Sequence, residues 1–126
     1  MSHRFPIRVY YEDTDLAGIV YYANYLRYME RARTEWIRER GGDQTRLKEE
    51  GIVFAVRRVE ADYLRASFFD DELVVHTAQV EASHARAVLS QDIYRGEEKV
   101  FASLVTMVAI DVNTGRPRPM PAIVRP

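Results

Sequence analysis

The 126-residue chain predicts an α+β fold, and three observations predict it. Between Tyr25 and Ile37 apolar residues recur at three- and four-residue steps, the period of a helix. From Ile52 onward they alternate with period two, the period of a strand. The length lies in the single-domain range, and no repeat or low-complexity linker divides the chain, so residues 1–126 are expected to form one domain around one core.

The first strand is expected from Phe5 to Tyr11, where Ile7, Val9 and Tyr11 alternate and Pro6 is tolerable near the start. Asp13, Thr14 and Asp15 then sit just past a strand end. Leu16-Ala17-Gly18-Ile19-Val20 supplies a turn at Gly18, where a positive φ carries no steric penalty. The long helix begins between Tyr22 and Asn24, with Asn24 placed to cap it, and runs to about Arg40. Tyr25, Met29, Ala32 and Trp36, with Leu26 and Ile37 alongside, form its apolar stripe opposite Arg27, Arg31, Glu35 and Arg38. About seventeen residues span roughly 25 Å, enough to lie across a sheet of several strands. Gly41-Gly42 ends it with a left-handed position, and Asp43 caps a shorter helix through Glu50, closed by Gly51.

Ile52, Phe54 and Val56 alternate in one phase, whereas Val59, Ala61 and Tyr63 alternate in the other. A slip of one residue reconciles them, which predicts a β-bulge at Arg57 and Arg58. Phe68 to Asp71 reads as a connection. Further strands are expected at Glu72 to Ala82, Ala85 to Tyr94 and, after an Arg95-Gly96 turn, Lys99 to Val112. In the last of these both faces are apolar, with Leu104, Val108 and Ile110 on one and Val105, Met107 and Ala109 on the other. One helix cannot cover both, which predicts a subunit interface. The tail from Thr114 to Pro126 carries four prolines, which predicts a segment lying across the surface without extending the sheet.

Charge and composition narrow the functions. Lys and Arg number 18 against 19 Asp and Glu, so no basic field exists to attract nucleic acid. The absence of cysteine removes disulfides, thiolate metal sites and a thiol nucleophile together, which points away from a disulfide-built secreted scaffold and is compatible with the cytoplasm, the location expected. The stretch from Met1 to Pro6 has no apolar h-region, and no segment reaches the length of a membrane span. His3, His76 and His84 lack ligand spacing, so no metal site is expected.

The chemistry concentrates between Tyr10 and Arg40. A helix start leaves backbone N–H groups without intrahelical partners and carries partial positive charge, so it can hold an oxyanion. A carboxylate brought back to it by a glycine turn would supply two of the groups that acyl transfer needs. On spacing alone, however, Asp15 also reads as a turn former that bonds its own backbone.

The run Val9-Tyr10-Tyr11-Glu12-Asp13-Thr14-Asp15, then Gly18, Val20-Tyr21, Tyr25 and Glu30-Arg31-Ala32-Arg33-Thr34-Glu35, resembles the 4-hydroxybenzoyl-CoA thioesterase family. Within it the run is most similar to the small acyl-CoA thioesterases associated with the Tol-Pal system. The resemblance covers about a quarter of the chain. It implies a hotdog fold, in which an antiparallel five-stranded sheet wraps around one long helix. It also implies a homodimer, with a dimer-of-dimers tetramer beyond it.

The same resemblance places the catalytic carboxylate at Asp15, as nucleophile or as general base, and leaves Asp13 to shape the turn. Tyr22 stands where the Tol-Pal branch often has His and the hydroxybenzoyl branch has Tyr. With a reference pKa near 10, a phenol is no base at neutral pH. Tyr22 is therefore assigned to the catalytic set through its backbone amide, its ring either packing on substrate or filling the helix-sheet seam. Gly18, Val20 and Tyr21 fall to the substrate site. Arg57, Arg58 and Arg86 are candidates for the coenzyme A phosphates, or else solvated strand charges. Glu30, with Arg27, Arg31 and Arg33 nearby, reads as an ion-pair partner rather than a catalytic acid.

The function expected is hydrolysis of a short-chain or aromatic acyl-CoA, or of the same acyl group on acyl carrier protein. No cofactor is required, since coenzyme A is part of the substrate. Hotdog dehydratase chemistry would want a His beside the acid, and none lies near Asp15. The remaining alternative is a non-catalytic acyl-thioester-binding or envelope-assembly module.

Overall fold

A computed structural model describes residues 2–124. Met1 and the last two tail residues, Arg125 and Pro126, lie outside the described residues. The chain forms β1 (His3–Arg8), a 3-10 turn (Tyr11–Asp13), α1 (Asn24–Glu39), α2 (Gln44–Glu49), β2 (Ile52–Tyr63), β3 (Glu72–Ala82), β4 (Ala87–Arg95), β5 (Glu98–Asp111), β6 (Pro117–Arg118) and a closing 3-10 turn (Ala122–Val124). All strand pairs are antiparallel, in the order β1-β3-β4-β5-β2, with β6 added beside β5. Helix α1 packs on the inner face against β1 and β3. This is the hotdog arrangement, with the five strands expected and a sixth of two residues.

The bulge falls where the two phases of β2 meet. Val56 pairs with Met107 and Arg58 with Thr106, leaving Arg57 as the extra residue. Phe54, Val56, Val59, Ala61 and Tyr63 thereby all lie opposite the buried, odd-numbered residues of β5. The slip keeps the apolar set of β2 on the inner face along its whole length.

The first strand is shorter than expected, ending at Arg8. The Asp13 carboxylate accepts the Tyr10 amide at 2.8 Å and pulls the chain into the 3-10 turn. Strand β4 starts at Ala87 and not at Ala85, because the Ser83 hydroxyl accepts the amides of Ala85 and Arg86 and turns the chain there. At α1 the N-cap is Ala23, and Asn24 is the first helical residue, its side chain committed elsewhere. Leu26, expected in the apolar stripe, is 42 % exposed, while Tyr28 and Arg33 are buried. Asp43 caps α2 by accepting the amides of Thr45 and Arg46.

The proline-rich tail departs most from expectation. Arg118 pairs with Ala109 and Pro117 with Ile110, so the tail takes the place beside β5 that β4 vacates beyond Met107. The missing proline donor is no obstacle, because the ladder uses the Arg116 carbonyl, which accepts the Asp111 amide at 2.8 Å. Met120 and Val124 are then fully buried in the core. Their burial removes apolar surface from water, the main source of stabilisation available to a segment of this length.

Candidate active site

The chain leaves β1 held to the 68–71 connection by paired backbone bonds, Val9 N–H to Asp71 C=O and Asp70 N–H to Val9 C=O, both 2.9 Å. Asp13 then joins the 3-10 turn to the helix. It is buried, and its second carboxylate oxygen accepts the Asn24 side-chain amide at 2.7 Å, which ties the turn to the first residue of α1. Its carbonyl accepts the Tyr21 amide at 2.9 Å. Thr14 bridges to Val20, and Ile19 bridges to Phe68.

Asp15 opens the tight loop between those rungs. Its amide donates to the Ile19 carbonyl, its carbonyl accepts from Gly18, and its Oδ1 accepts the Ala17 amide, each at 2.9 Å. Gly18 takes φ +82°, which lets so short a loop close. One Asp15 oxygen is thus fixed to the loop, while Oδ2 has no protein partner among the described residues. Both the turn-forming role and an available carboxylate oxygen coexist in one side chain.

Past the loop, the Asn24 amide donates to the Tyr21 carbonyl at 2.8 Å and Leu26 donates to the Ala23 carbonyl at 3.1 Å. The amides of Tyr22 and Ala23 donate to no protein group among the described residues. They are the free donors that a helix start provides. The short ladder between residues 13–15 and 19–21 ties the segment that leads to them to the Asp15 loop.

The surroundings are aromatic. Tyr21 and Tyr22 are exposed, with ring centroids 4.9 Å apart. Tyr25 stacks on Phe101 at 5.0 Å with the planes 6° apart, and Tyr63 meets both rings edge-on. Tyr28 is buried beneath them. Its hydroxyl has no hydrogen-bond partner of good geometry but lies by the Asp13 carboxylate, and burial first, then that carboxylate, hold the phenol well above its ordinary pKa.

Of the remaining sequence candidates, Val20 is not presented to a ligand. Its amide donates to the Ser67 carbonyl at 2.8 Å and its side chain turns into the core, leaving it 3 % exposed. Arg57, Arg58 and Arg86 line one cleft of about 340 Å³ with Glu60, Glu81, Val88 and Thr106. Register explains their meeting: Arg58 lies opposite Thr106, Thr106 opposite Val88, and Val88 opposite Glu81, a row across four strands. Arg58 pairs with Glu60 at 2.9 Å and Arg86 with Glu81 at 3.2 Å, whereas Arg57 has no ion pair among the described residues. Glu30 pairs with Arg33 at 2.7 Å, but Arg33 is no surface residue. It reaches under the helix to Gln91 Oε1 at 2.8 Å, and Gln91 in turn donates to the Met29 carbonyl and the Thr77 hydroxyl, both 3.0 Å. No group of three potential metal ligands occurs among the described residues.

Sequence spacing did not single out Asn24 as the partner of Asp13, nor Tyr63 beyond its place in the alternation of β2. The eleven-residue separation of Asn24 from Asp13 gives no local signal, and an aromatic at a strand end is ordinary.

The family model described as the thioesterase-like superfamily matches residues 9–125. The chain belongs to the thioesterase-like superfamily. Within the superfamily it is 38 % identical to the protein named acyl-CoA thioesterase YbgC of Haemophilus influenzae, over 96 % of this chain and 90 % of that protein. It is 35 % identical to acyl-CoA thioesterase YbgC of Helicobacter pylori strain 26695, over 92 % of each. Among solved structures, that of a probable thioesterase from Bartonella henselae superposes with a TM-score of 0.90 at 34 % identity, covering 96 % of this chain and all of that one.

Proposed function

We propose that the protein hydrolyses the thioester of a short-chain or aromatic acyl-CoA, with Asp15 as the carboxylate that acts on it. The observation that carries this reading is Asp15 itself. One oxygen is anchored to the Ala17 amide and the other is without a protein partner, in a loop laddered to the helix start where the Tyr22 and Ala23 amides are free. Kinship with proteins named acyl-CoA thioesterases supports the substrate class.

The thioester carbonyl oxygen sits at the free amides, which become stronger partners as negative charge develops on it. Such a donor is worth about 3 to 4 kcal/mol in other enzymes. The free oxygen of Asp15 either attacks the carbonyl carbon or takes a proton from the water that does. In the first route the C–S bond breaks to release coenzyme A as thiolate, and water hydrolyses the mixed anhydride. In the second the tetrahedral adduct expels the thiolate directly. The phenol of Tyr22 takes no proton in either route at neutral pH. Gly18 and Tyr21 lie at the edge of the site, and the cleft of Arg57, Arg58 and Arg86 is assigned to the phosphates, with Arg57 the uncommitted charge.

We further assign the active form to a homodimer in the cytoplasm. Val56 and Val59 face inward on β2, yet they are 45 % and 38 % exposed, since α1 makes its main strand contacts with β1 and β3 at the other side of the sheet. With Leu26 they line a groove of about 490 Å³. A second copy joining at the free β2 edge would cover it.

One observation favours a second reading, a non-catalytic binding module: the Ala17 bond gives Asp15 a structural task. The test is thiol release from short aliphatic, long aliphatic and hydroxybenzoyl-CoA, with Asp15→Asn in parallel. Asparagine keeps an acceptor for Ala17, so the fold is retained. The catalytic reading expects a loss of about 10²- to 10⁴-fold. A folded Asp15→Asn variant as fast as the parent would remove Asp15 from the mechanism, and a parent that cleaves no thioester in the panel would establish the second reading.

A further inference from the structure

We propose that Tyr63, at the far end of β2, is a positioning residue for thioester hydrolysis, its hydroxyl pinning the peptide that presents one of the two oxyanion donors at the start of α1, the Ala23 amide. The proposal rests on the catalytic reading above and adds a residue to it. The Tyr63 hydroxyl donates to the Tyr22 carbonyl at 3.0 Å, across 41 residues of sequence. That carbonyl belongs to the same planar unit as the Ala23 amide, which points the opposite way because the peptide is trans. Holding the oxygen therefore holds the N–H.

The neighbouring peptide is held by different means. The Tyr21 carbonyl accepts the Asn24 amide at 2.8 Å, which orients the Tyr22 N–H. The Tyr22 carbonyl has no helical partner of its own, because Leu26 donates to Ala23 and not to Tyr22. Without Tyr63, this one carbonyl at the helix start would be tied by no protein group among the described residues, and its peptide would be free to rock. A hydrogen bond to the carbonyl also draws electron density from the amide and strengthens the Ala23 N–H as a donor.

Tyr63 is itself firmly placed. Its backbone lies opposite Phe101, and its ring sits edge-on to Tyr22 at 6.3 Å, Tyr25 at 5.4 Å and Phe101 at 5.1 Å. Burial, with smaller contributions from Tyr22 and Tyr25, raises the phenol pKa, so the hydroxyl remains a donor throughout the neutral range. The β2 strand thereby carries order from the sheet to the amides of the helix start.

The test is Tyr63→Phe, which removes the hydroxyl and keeps the ring, measured with Asp15→Asn and the parent on the acyl-CoA the parent cleaves fastest. The expected result is a fall in kcat of about five- to twenty-fold with KM within about two-fold and an unchanged thermal midpoint. Tyr63→Leu, which also removes the ring, should lose stability as well. If Asp15→Asn is inactive while Tyr63→Phe retains the parent kcat, the positioning role is overturned and the Asp15 reading stands. A Tyr63→Phe loss that appears wholly in KM, or only with a fall in thermal midpoint, overturns it in favour of a packing role. A parent that cleaves no thioester in the panel overturns both.

Discussion

At the scale of single residues, two buried acceptors and donors decide the shape of the site. Asp13 takes the Tyr10 amide on one oxygen and the Asn24 side chain on the other, so one carboxylate closes the turn before the loop and anchors the helix after it. Its shaping role follows in the sequence from the family resemblance, which gives the catalytic place to Asp15. The identity of its partners does not, since Asn24 reads locally as a cap. Tyr28, next to Asp13, yields a pH prediction. An unfolded tyrosine releases its proton near pH 10, whereas the folded Tyr28 phenol is held above that value by burial and by Asp13. Above pH 10 the unfolded chain then binds fewer protons than the folded one, so stability is intact below pH 10 and falls as pH rises toward the folded pKa. Urea unfolding at about pH 8 and about pH 11 should show a shallower alkaline loss for Tyr28→Phe than for the parent. Equal losses in both would assign the alkaline instability to other groups.

Elements meet at the chain's turns, and there small residues set the fit. Gly41 ends α1 in the left-handed region with φ +85°, and Gly42 follows against the tail. A Cβ on Gly42 would lie 2.5 Å from the Ile123 side chain and 2.5 Å from that of Ile37. Gly42→Ala should therefore destabilise the fold by about 1 to 3 kcal/mol in urea titration, by pushing the tail away from the helix end. A change below about 0.5 kcal/mol would mean the tail yields freely at this point. The glycine pair is legible as a helix stop. Why the second must be small is not, because Ile123 is remote in sequence and arrives only when β6 pairs beside β5. The bulge of β2 is the opposite case. Two phases of one alternating pattern demand it, and no tertiary knowledge is needed to place it at Arg57 and Arg58.

For the whole molecule, the decisive feature is an apolar inner face wider than its helix. The sequence assigns the surplus apolar surface to the last strand. In the fold, the inner, odd-numbered set of β5 is buried by the chain itself, and Leu104 on its outer face is 41 % exposed. Val56 and Val59 of β2 are uncovered inner positions, as is Tyr63 at the end of the strand. The surplus predicted from β5 thus reappears at the sheet edge. Val59→Asp should convert a dimer of about twice 14.7 kDa into a species of 14.7 kDa in sedimentation, with the monomer less active. A parent that sediments at 14.7 kDa would remove the dimer from the proposed mechanism.

Local spacing and residue type by themselves determined the α+β class, the long helix, the bulge, the Asp43 cap and the concentration of chemistry between Tyr10 and Arg40. Those features depend on neighbours within a turn or two of the chain, where spacing and residue type are sufficient. Only the tertiary structure decided that Asp15 keeps one oxygen without a protein partner, that Tyr63 reaches Tyr22, that Arg33 is buried over Gln91, and that the proline-rich tail enters the core. The free Asp15 oxygen is what remains once the loop has made its own bond to Ala17, and the other three are contacts between segments far apart in sequence. Their partners exist only once the sheet has closed around the helix.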